Sequence, residues 1–346
     1  MGRRYATPIP LPRSRSREGS CVVDCRFRVG VLGRSICFSD RELEVAAIEG
    51  MARGYHPFPV AIYGPEGCGK TTLTRYLVHR LGNEGYLAIY LDALTEVPGK
   101  ALELSPPIPQ HVVEDALRSL SVPLSGVIAR YAARVAEALW RRVKMRRGVV
   151  VVVDDVYRAV GLGAAERYTK ALYEWVSRSA PRHGVKNLLV LLTTSEGVSK
   201  RLLARHSYVE LYMLWNLPEK GFEEFVEQLN PPHSPSDLYT ATGGNPRILI
   251  EIARHGWDHE RVRRMYRDRI RSAIRSLGIP REKLRELARD PDADPETAAK
   301  LEELGLMIEL MRSSALGEAP NPDPDLGIGT EWAWQTPLFR TAVLEL

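Results

Sequence analysis

Short, uninterrupted apolar runs alternate along the chain with longer stretches whose apolar positions recur every three or four residues. The runs are Pro59–Tyr63, Tyr86–Leu91, Gly148–Asp154, Asn187–Thr193 and Tyr208–Leu214. Their length and Val/Ile/Leu content predict strands buried on both faces, as in a parallel sheet. Between them, Lys70–Leu81, Ile108–Met145 and Ala164–Ser179 predict helices, the middle stretch forming two. Strand and helix in alternation predict βαβ units and a doubly wound α/β domain. Val97–Pro109 holds four prolines and reads as a surface insertion.

After Leu217 the strand pattern stops. Pro218–Leu229, Pro235–Ala241 and Pro246–His255 predict three helices, each with a proline at or near its first turn. Asp258 is placed to N-cap a longer helix reaching Leu277, with Val262, Tyr266, Ile270, Ala273, Ile274 and Leu277 along one face. Gly278, Ile279 and Pro280 end it. Arg281–Ala288 and Pro295–Leu304 then predict helices. Leu306–Leu310 predicts a strand, Glu318–Gly329 a Pro-rich loop and Glu331–Trp334 a second strand. Helix, helix, strand, long loop, strand is the order of a winged helix.

Composition adds limits. A chain of 346 residues suits two or three domains of about 100–200 residues each. No apolar run nears the ~20 residues needed to span a bilayer, and the N-terminus shows no secretory h-region. The expected location is cytoplasmic. The net charge of +5 points toward nucleic acid, but it is unevenly spread. Residues 1–35 carry +6, residues 257–286 carry +5 and residues 287–346 carry −8. Residues 1–35, rich in Arg, Pro and Ser, are expected to be a disordered basic tail, with the compact fold starting near Cys37. Only 3 Gln and 6 Asn hint at a thermophile. The four cysteines, Cys21, Cys25, Cys37 and Cys68, complete no zinc pattern. Reduced thiols are the expectation, with Cys21–Cys25 or Cys21–Cys37 the disulfides a thermophile would allow.

Four motifs carry chemistry. Gly64-Pro65-Glu66-Gly67-Cys68-Gly69-Lys70-Thr71 fits GxxxxGK[ST] in full, after the apolar strand Val60–Tyr63 and before an amphipathic helix. The glycines let successive N–H groups turn toward phosphate oxygens, and the following helix aims its positive end at the same anion. This segment, extended to Thr72, is the expected phosphate-binding site. Lys70 would neutralise the β- and γ-phosphates, and the Thr71 hydroxyl would ligate Mg²⁺. Second, five valines lead into Asp154-Asp155 at a strand's C-terminal edge, where open parallel sheets bind ligands. Asp154 is expected to hold Mg²⁺ and Asp155 to polarise the attacking water. Third, Thr194, with Ser195 behind it, ends the next strand and is placed to orient that water, though capping would use the same residues. Fourth, Gly243-Gly244-Asn245-Pro246-Arg247 starts a helix with a cation in its first turn. The helix dipole disfavours a cation there, so an external anion such as the γ-phosphate is an attractive partner.

Together these motifs resemble those of archaeal P-loop ATPases of the AAA+/STAND class, relatives of origin-recognition ATPases, over roughly Phe38 to Leu277. Phe38-Ser39-Asp40-Arg41-Glu42-Leu43 resembles the box that precedes the P-loop and packs near the adenine, which places Arg41 at the nucleotide. Asp154-Asp155 is similar to the STAND form of the acidic pair. The Gly-Gly-Asn-Pro-Arg stretch is similar to the lid motif whose arginine, here Arg247, is called sensor 2. The resemblance implies a five-stranded parallel P-loop core of the AAA+ (ASCE) type over 36–216, a helical lid over 217–278 and a winged helix over 279–346. It implies ATP and Mg²⁺ as ligands, and a switch whose lid and winged helix follow the nucleotide. Asp155 is one methylene shorter than the usual Glu, which would slow turnover. Arg201 and Arg205 lie about where an arginine facing a neighbouring subunit of a homo-oligomer would, although a solvated helix position is the plainer reading.

Three functions follow. One is an ATP-hydrolysing switch. Another is an ATP-regulated DNA-binding protein, touching DNA through the tail and the 258–277 helix. A third is a non-hydrolysing module that holds nucleotide structurally and docks a protein on its acidic C-terminal part.

Overall fold

The computed structural model describes residues 24–95, 100–120, 126–143, 146–194, 197–205 and 207–346. In chain order the strands and helices are β1 (Asp24–Val31), β2 (Arg34–Phe38), α1 (Glu42–Ala52), β3 (Val60–Tyr63), α2 (Lys70–Asn83), β4 (Leu87–Asp92), β5 (Leu102–Ser105), α3 (Gln110–Arg118) and α4 (Ala132–Arg142). Then come β6 (Val149–Asp154), α5 (Val156–Val160), α6 (Leu162–Glu174), the short α7 (Ala180–Arg182), β7 (Leu188–Thr193), α8 (Gly197–Ala204) and β8 (Glu210–Met213). The C-terminal third holds α9 (Glu219–Leu229), α10 (Pro235–Thr242), α11 (Pro246–Arg254), α12 (His259–Leu277), α13 (Arg281–Arg289), α14 (Pro295–Glu303), β9 (Met307–Glu309), β10 (Ser313–Ser314), β11 (Gly317–Glu318), β12 (Trp332–Trp334) and α15 (Pro337–Leu344).

The central sheet has six strands in the order β5-β4-β6-β7-β3-β8. Five are mutually parallel, as the continuous apolar runs predict; β5 pairs antiparallel with β4 at one edge. The expected five-stranded sheet is therefore corrected to six. The extra strand comes from the Pro-rich insertion: Leu102 and Leu104 pack on the core while Glu103 faces out, a pattern of only four residues.

Strand alternation divides the β6 valines between two layers. Val149, Val151 and Val153 pack with α4, α5 and α6, while Val150 and Val152 pack with α1 and α2. β4 and β7 divide in the same register. This parity places Asp154 on the α2 side of the sheet.

The expected disordered tail over 1–35 is corrected from residue 24 onward; residues 1–23 lie outside the described residues. From Asp24 the chain forms a β1–β2 hairpin, turning at Leu32 and Gly33 with φ of 51° and 75°, the positive pair that a two-residue turn requires. Phe27, Val29 and Val31 alternate with polar or small residues, a strand pattern that the arginine count obscures. Val31 and Ile36 bury against α9 and α11. The hairpin brings Cys25 to Cys37 with Cα atoms 4.5 Å apart, joined as a disulfide, in place of the expected thiols or a Cys21 pairing. Cys21 lies outside the described residues. Cys68 is a free, buried thiol.

Helices α9–α12 match the four predicted after Leu217, and Asp258 does cap α12, accepting from the Arg261 N–H at 2.8 Å. Helices α13 and α14, the β9–β12 pair, the small β10–β11 hairpin and α15 form the C-terminal part around Trp332 and Trp334. Its acidic excess is partly used internally. Lys200 on α8 donates to Glu302 at 2.7 Å and to Glu309 at 2.8 Å; Arg201 donates to Glu302 at 2.8 Å and to Glu303 at 2.6 Å. Arg201 is thus a half-buried helix residue paired within the chain; Arg205 is exposed. No helix among the described residues is long and apolar enough to cross a membrane.

The side chains of Lys200 and Glu302 are 5% and 1% exposed, and Glu302 also holds Arg201, so removing Glu302 leaves two cations without their shared buried partner. Glu302→Leu is expected to lower stability by about 3 kcal/mol in urea unfolding, and adding Lys200→Met should recover part of it. An unchanged single variant would contradict this.

Candidate functional site

The Gly64–Thr71 loop runs from the end of β3 into α2, as predicted. Two glycines are there because the backbone passes too close for a side chain. A Cβ at Gly64 would lie 1.9 Å from the Leu214 carbonyl oxygen, and one at Gly67 would lie 2.3 Å from Cβ of Arg247. Gly67 also has φ of +85°, which L side chains rarely adopt. The second contact joins the loop directly to the N-terminus of α11.

A cavity of about 270 Å³ lies over the loop and brings together residues far apart in sequence: Lys70, Thr71, Thr72, Asp155 and Arg247, with Thr193 and Arg158. Lys70 is buried, and its ammonium donates to the carbonyls of Gly64 at 2.9 Å and Pro65 at 3.0 Å. Arg247 reaches over the loop and pairs with the Glu66 carboxylate.

Asp154 lies beneath this cavity and is 5% exposed. Its carboxylate accepts from the hydroxyls of Thr71 at 2.7 Å, of Tyr90 at 2.6 Å, and of Thr193. All three donors sit on the α2 face of the sheet, where parity places them. An all-oxygen cluster of a carboxylate and a threonine hydroxyl beside the phosphate-binding loop suits a hard cation such as Mg²⁺. The same carboxylate and Tyr90's own burial push the Tyr90 phenol well above its ordinary pKa.

Asp155 breaks the strand alternation. Its φ of 52° places it in the left-handed region, and this turns its side chain out of the sheet layer into the cavity. Its N–H donates to Thr193 Oγ1 at 2.9 Å. Burial, then the neighbouring Asp154 charge, raises its pKa above the ordinary Asp value, while Lys70 and Arg158 pull it back.

Arg41, also with positive φ, is 3% exposed. It donates to the carbonyls of Cys68 and Trp215, both at 2.8 Å, and pairs with Glu44 at 2.7 Å. It therefore clamps the loop from behind, and it also lines a cavity beside the loop. A smaller cavity of about 110 Å³, lined by Val29, Phe38, Phe225 and Ile250, opens beside Gly69 and Thr72. Its apolar walls fit a planar base.

Thr194 is 2% exposed, and its N–H donates to the Ile62 carbonyl at 3.0 Å. Ser195 lies outside the described residues. The hydroxyl that reaches Asp154 belongs to the preceding residue, Thr193. Sequence reading missed Thr193, Tyr90 and Arg158. The strand order would have found the first two, since it sets β7 and β4 on either side of β6. Arg158 follows Asp155 by three residues, a helical neighbour once α5 is known to start there.

One strand, β7, separates the loop-bearing β3 from the acid-bearing β6. The sheet and the site together are those of a P-loop ATPase. The chain belongs to the family described as an ATPase domain predominantly from Archaea, whose profile matches residues 38–252. No curated protein matches the chain. Among solved structures it is similar to DnaA from Aquifex aeolicus bound to AMPPCP, with 20% identity, a TM-score of 0.36 and coverage of 68% of this chain and 66% of that one. It is similar to the ORC2 protein of Aeropyrum pernix in its ADPNP-ADP complexes, with 18% identity, a TM-score of 0.36 and coverage of 61% and 59%. It is similar to Drosophila ORC bound to DNA, with 17% identity, a TM-score of 0.32 and coverage of 60% and 51%. The chain spans less than two thirds of each of these proteins.

A raised Asp155 pKa means that the native state keeps this proton to higher pH than the unfolded chain does. Its contribution to stability therefore falls as pH rises from the ordinary Asp range through the native value, and stays lowered above it. Asn tolerates the left-handed conformation as well as Asp. Asp155→Asn is expected to raise the thermal midpoint of the metal- and nucleotide-free protein at pH 7. The gain should vanish below about pH 4, where both states are protonated. A constant or inverted difference would refute the assignment.

Proposed function

We propose that the chain is an ATP-hydrolysing molecular switch. Residues 36–216 would form its core, 217–278 its lid and 279–346 a winged-helix-like part. The convergence of Lys70, Thr71, Asp155 and Arg247 on one cavity carries this reading, because these groups come from the loop, the sheet edge and a helix of the lid. The loop's inward N–H groups would hold the phosphates, and the apolar cavity beside Phe38 would hold the base. Lys70 would exchange the Gly64 and Pro65 carbonyls for β- and γ-phosphate oxygens. Thr71 and Asp154 would hold Mg²⁺, which would neutralise charge on the same phosphates. Asp155, in its deprotonated form, would take the proton of the attacking water. Its raised pKa makes it the better base of the pair. Thr194 would help to orient that water. Arg247 would leave Glu66 for the γ-phosphate, so the lid would close when ATP is present and relax on hydrolysis.

A second reading, ATP-regulated DNA binding, draws on α12. Arg263 and Arg267 pair with Glu345, but Arg261, Arg264 and Arg275 are exposed and make no ion pair among the described residues. A steep salt dependence of duplex binding would support it. The arginine-rich tail assigned to the same role falls mostly outside the described residues.

Lys70→Ala is expected to lower kcat/KM for ATP by at least ~100-fold, because ground- and transition-state phosphate charge is left uncompensated. Asp155→Asn should keep ATP binding and lose turnover. Phosphate release at the wild-type rate from Lys70→Ala would sink the proposal. Retained nucleotide-dependent conformational change in Asp155→Asn, with no turnover in the wild type, would favour a non-hydrolysing module.

A further inference from the structure

The outer face of the P-loop is gripped by the C-terminal part of the chain. Gln335 lies between β12 and α15 and is 3% exposed. Its Oε1 accepts from the Glu66 N–H at 2.8 Å, and its Nε2 donates to the Met307 carbonyl at 3.3 Å. Its own N–H donates to the Leu306 carbonyl at 3.0 Å, and its carbonyl accepts from Asn216 Nδ2 at 2.9 Å. The amide has one orientation, since an N–H faces its oxygen and a C=O faces its nitrogen. Every polar group of the residue is satisfied, so the side chain has no alternative bonded position nearby.

Glu66 is held at every polar group as well. Its N–H goes to Gln335, and its C=O accepts from Asn245 Nδ2 at 3.0 Å. Its carboxylate pairs with Arg247. Asn245 in turn donates through the same nitrogen to Asn216 Oδ1 at 2.9 Å, and Asn216 donates to Gln335, which closes a ring. The curvature of the loop is therefore set from outside by one residue of the C-terminal part and one of α11.

We infer that Gln335 is a positioning residue for the P-loop, and that nucleotide occupancy and docking of the C-terminal part are coupled through its bond to Glu66. This rests on the reading of the cavity as the ATP site. Coupling of this kind is reciprocal: if the docked part shapes the loop for nucleotide, nucleotide stabilises the docked part. The Lys200–Glu302 pair holds the same part to the core at a separate point, so losing the Gln335 bond loosens one contact and leaves the fold in place.

The test compares the full wild-type chain with Gln335→Met, which keeps length but removes the acceptor, and Gln335→Glu, which keeps an oxygen toward Glu66. Hydrogen exchange of the peptide containing Glu66 is measured first without nucleotide. Gln335→Met should exchange about five- to tenfold faster there, the worth of one hydrogen bond; Gln335→Glu should remain near wild type at a pH where its buried carboxyl is protonated and still donates to the Met307 carbonyl. With ADP and Mg²⁺, Gln335→Met should bind about five- to tenfold more weakly and lose the ADP-dependent protection of residues 332–344 that the wild type should show. Wild-type exchange and wild-type ADP affinity in Gln335→Met would overturn the inference. So would equal losses in Gln335→Met and Gln335→Glu, which would mark a packing role only. If the wild type itself failed to bind ADP, the nucleotide reading would fall and the coupling with it. The nucleotide-free exchange result would still report whether Gln335 holds the loop.

Discussion

Asp154 carries a charge that the interior of a sheet edge does not tolerate alone. A carboxylate 5% exposed must be hydrogen-bonded, and three hydroxyls from α2, β4 and β7 meet it. That requirement ties the P-loop helix to three neighbouring strands and fixes the loop's height above the sheet. Asp155, turned out of register by its positive φ, then has one place to go, the cavity over the loop. The acidic pair thus divides its work by backbone conformation: the first residue obeys strand parity and is buried, the second breaks it and is presented.

Around this point the parts of the molecule are joined by apolar packing as well as by polar contacts: Tyr63 and Met213 of the sheet cluster with Ile308, Leu310 and Ala333 of the C-terminal part. The described hydrophobic residues form separate clusters in the sheet layers, in the helices after Leu217 and around Trp334. Polar contacts add specific bridges: Arg247 to Glu66, Asn245 to Glu66, Gln335 to Glu66 and Lys200 to Glu302. Such bridges hold while every partner is in place and release as units when one is drawn away. Three of the four converge on one loop residue, so the state of the loop is shared with α11 and with the C-terminal part.

Much of this was legible in sequence, with reasons that differ by element. The five parallel strands and α9–α12 were readable because long, strongly periodic segments leave little choice. β5 was not, since four residues beside prolines carry too little pattern. The β1–β2 hairpin was hidden by its arginines: alternation over seven residues was present, but a count of charge outweighed it. At the site, the loop, the acidic pair and Arg247 were placed by motif. Thr193, Tyr90 and Arg158 belong to no motif and join the site only through strand order and register. Arg41 was placed in the right region, yet its contacts are to carbonyls behind the loop. Arg201 was read as solvated because its partners, Glu302 and Glu303, lie about a hundred residues away.

The sequence by itself determined the chemistry: a phosphate-binding loop after a strand, an acidic pair at a strand's edge, and an arginine at the start of a later helix. Those are local facts, set by spacing, backbone freedom and side-chain type. Only the tertiary structure decided which groups meet. Strand order placed β7 between the loop and the acids, and the left-handed turn at Asp155 aimed one carboxylate outward. Packing of the last fifty residues brought Gln335 to the P-loop across 269 positions of chain. Hydrogen bonds and ion pairs act over a few ångströms, whatever the separation in sequence, so contacts of this kind leave no periodicity or motif by which to be read.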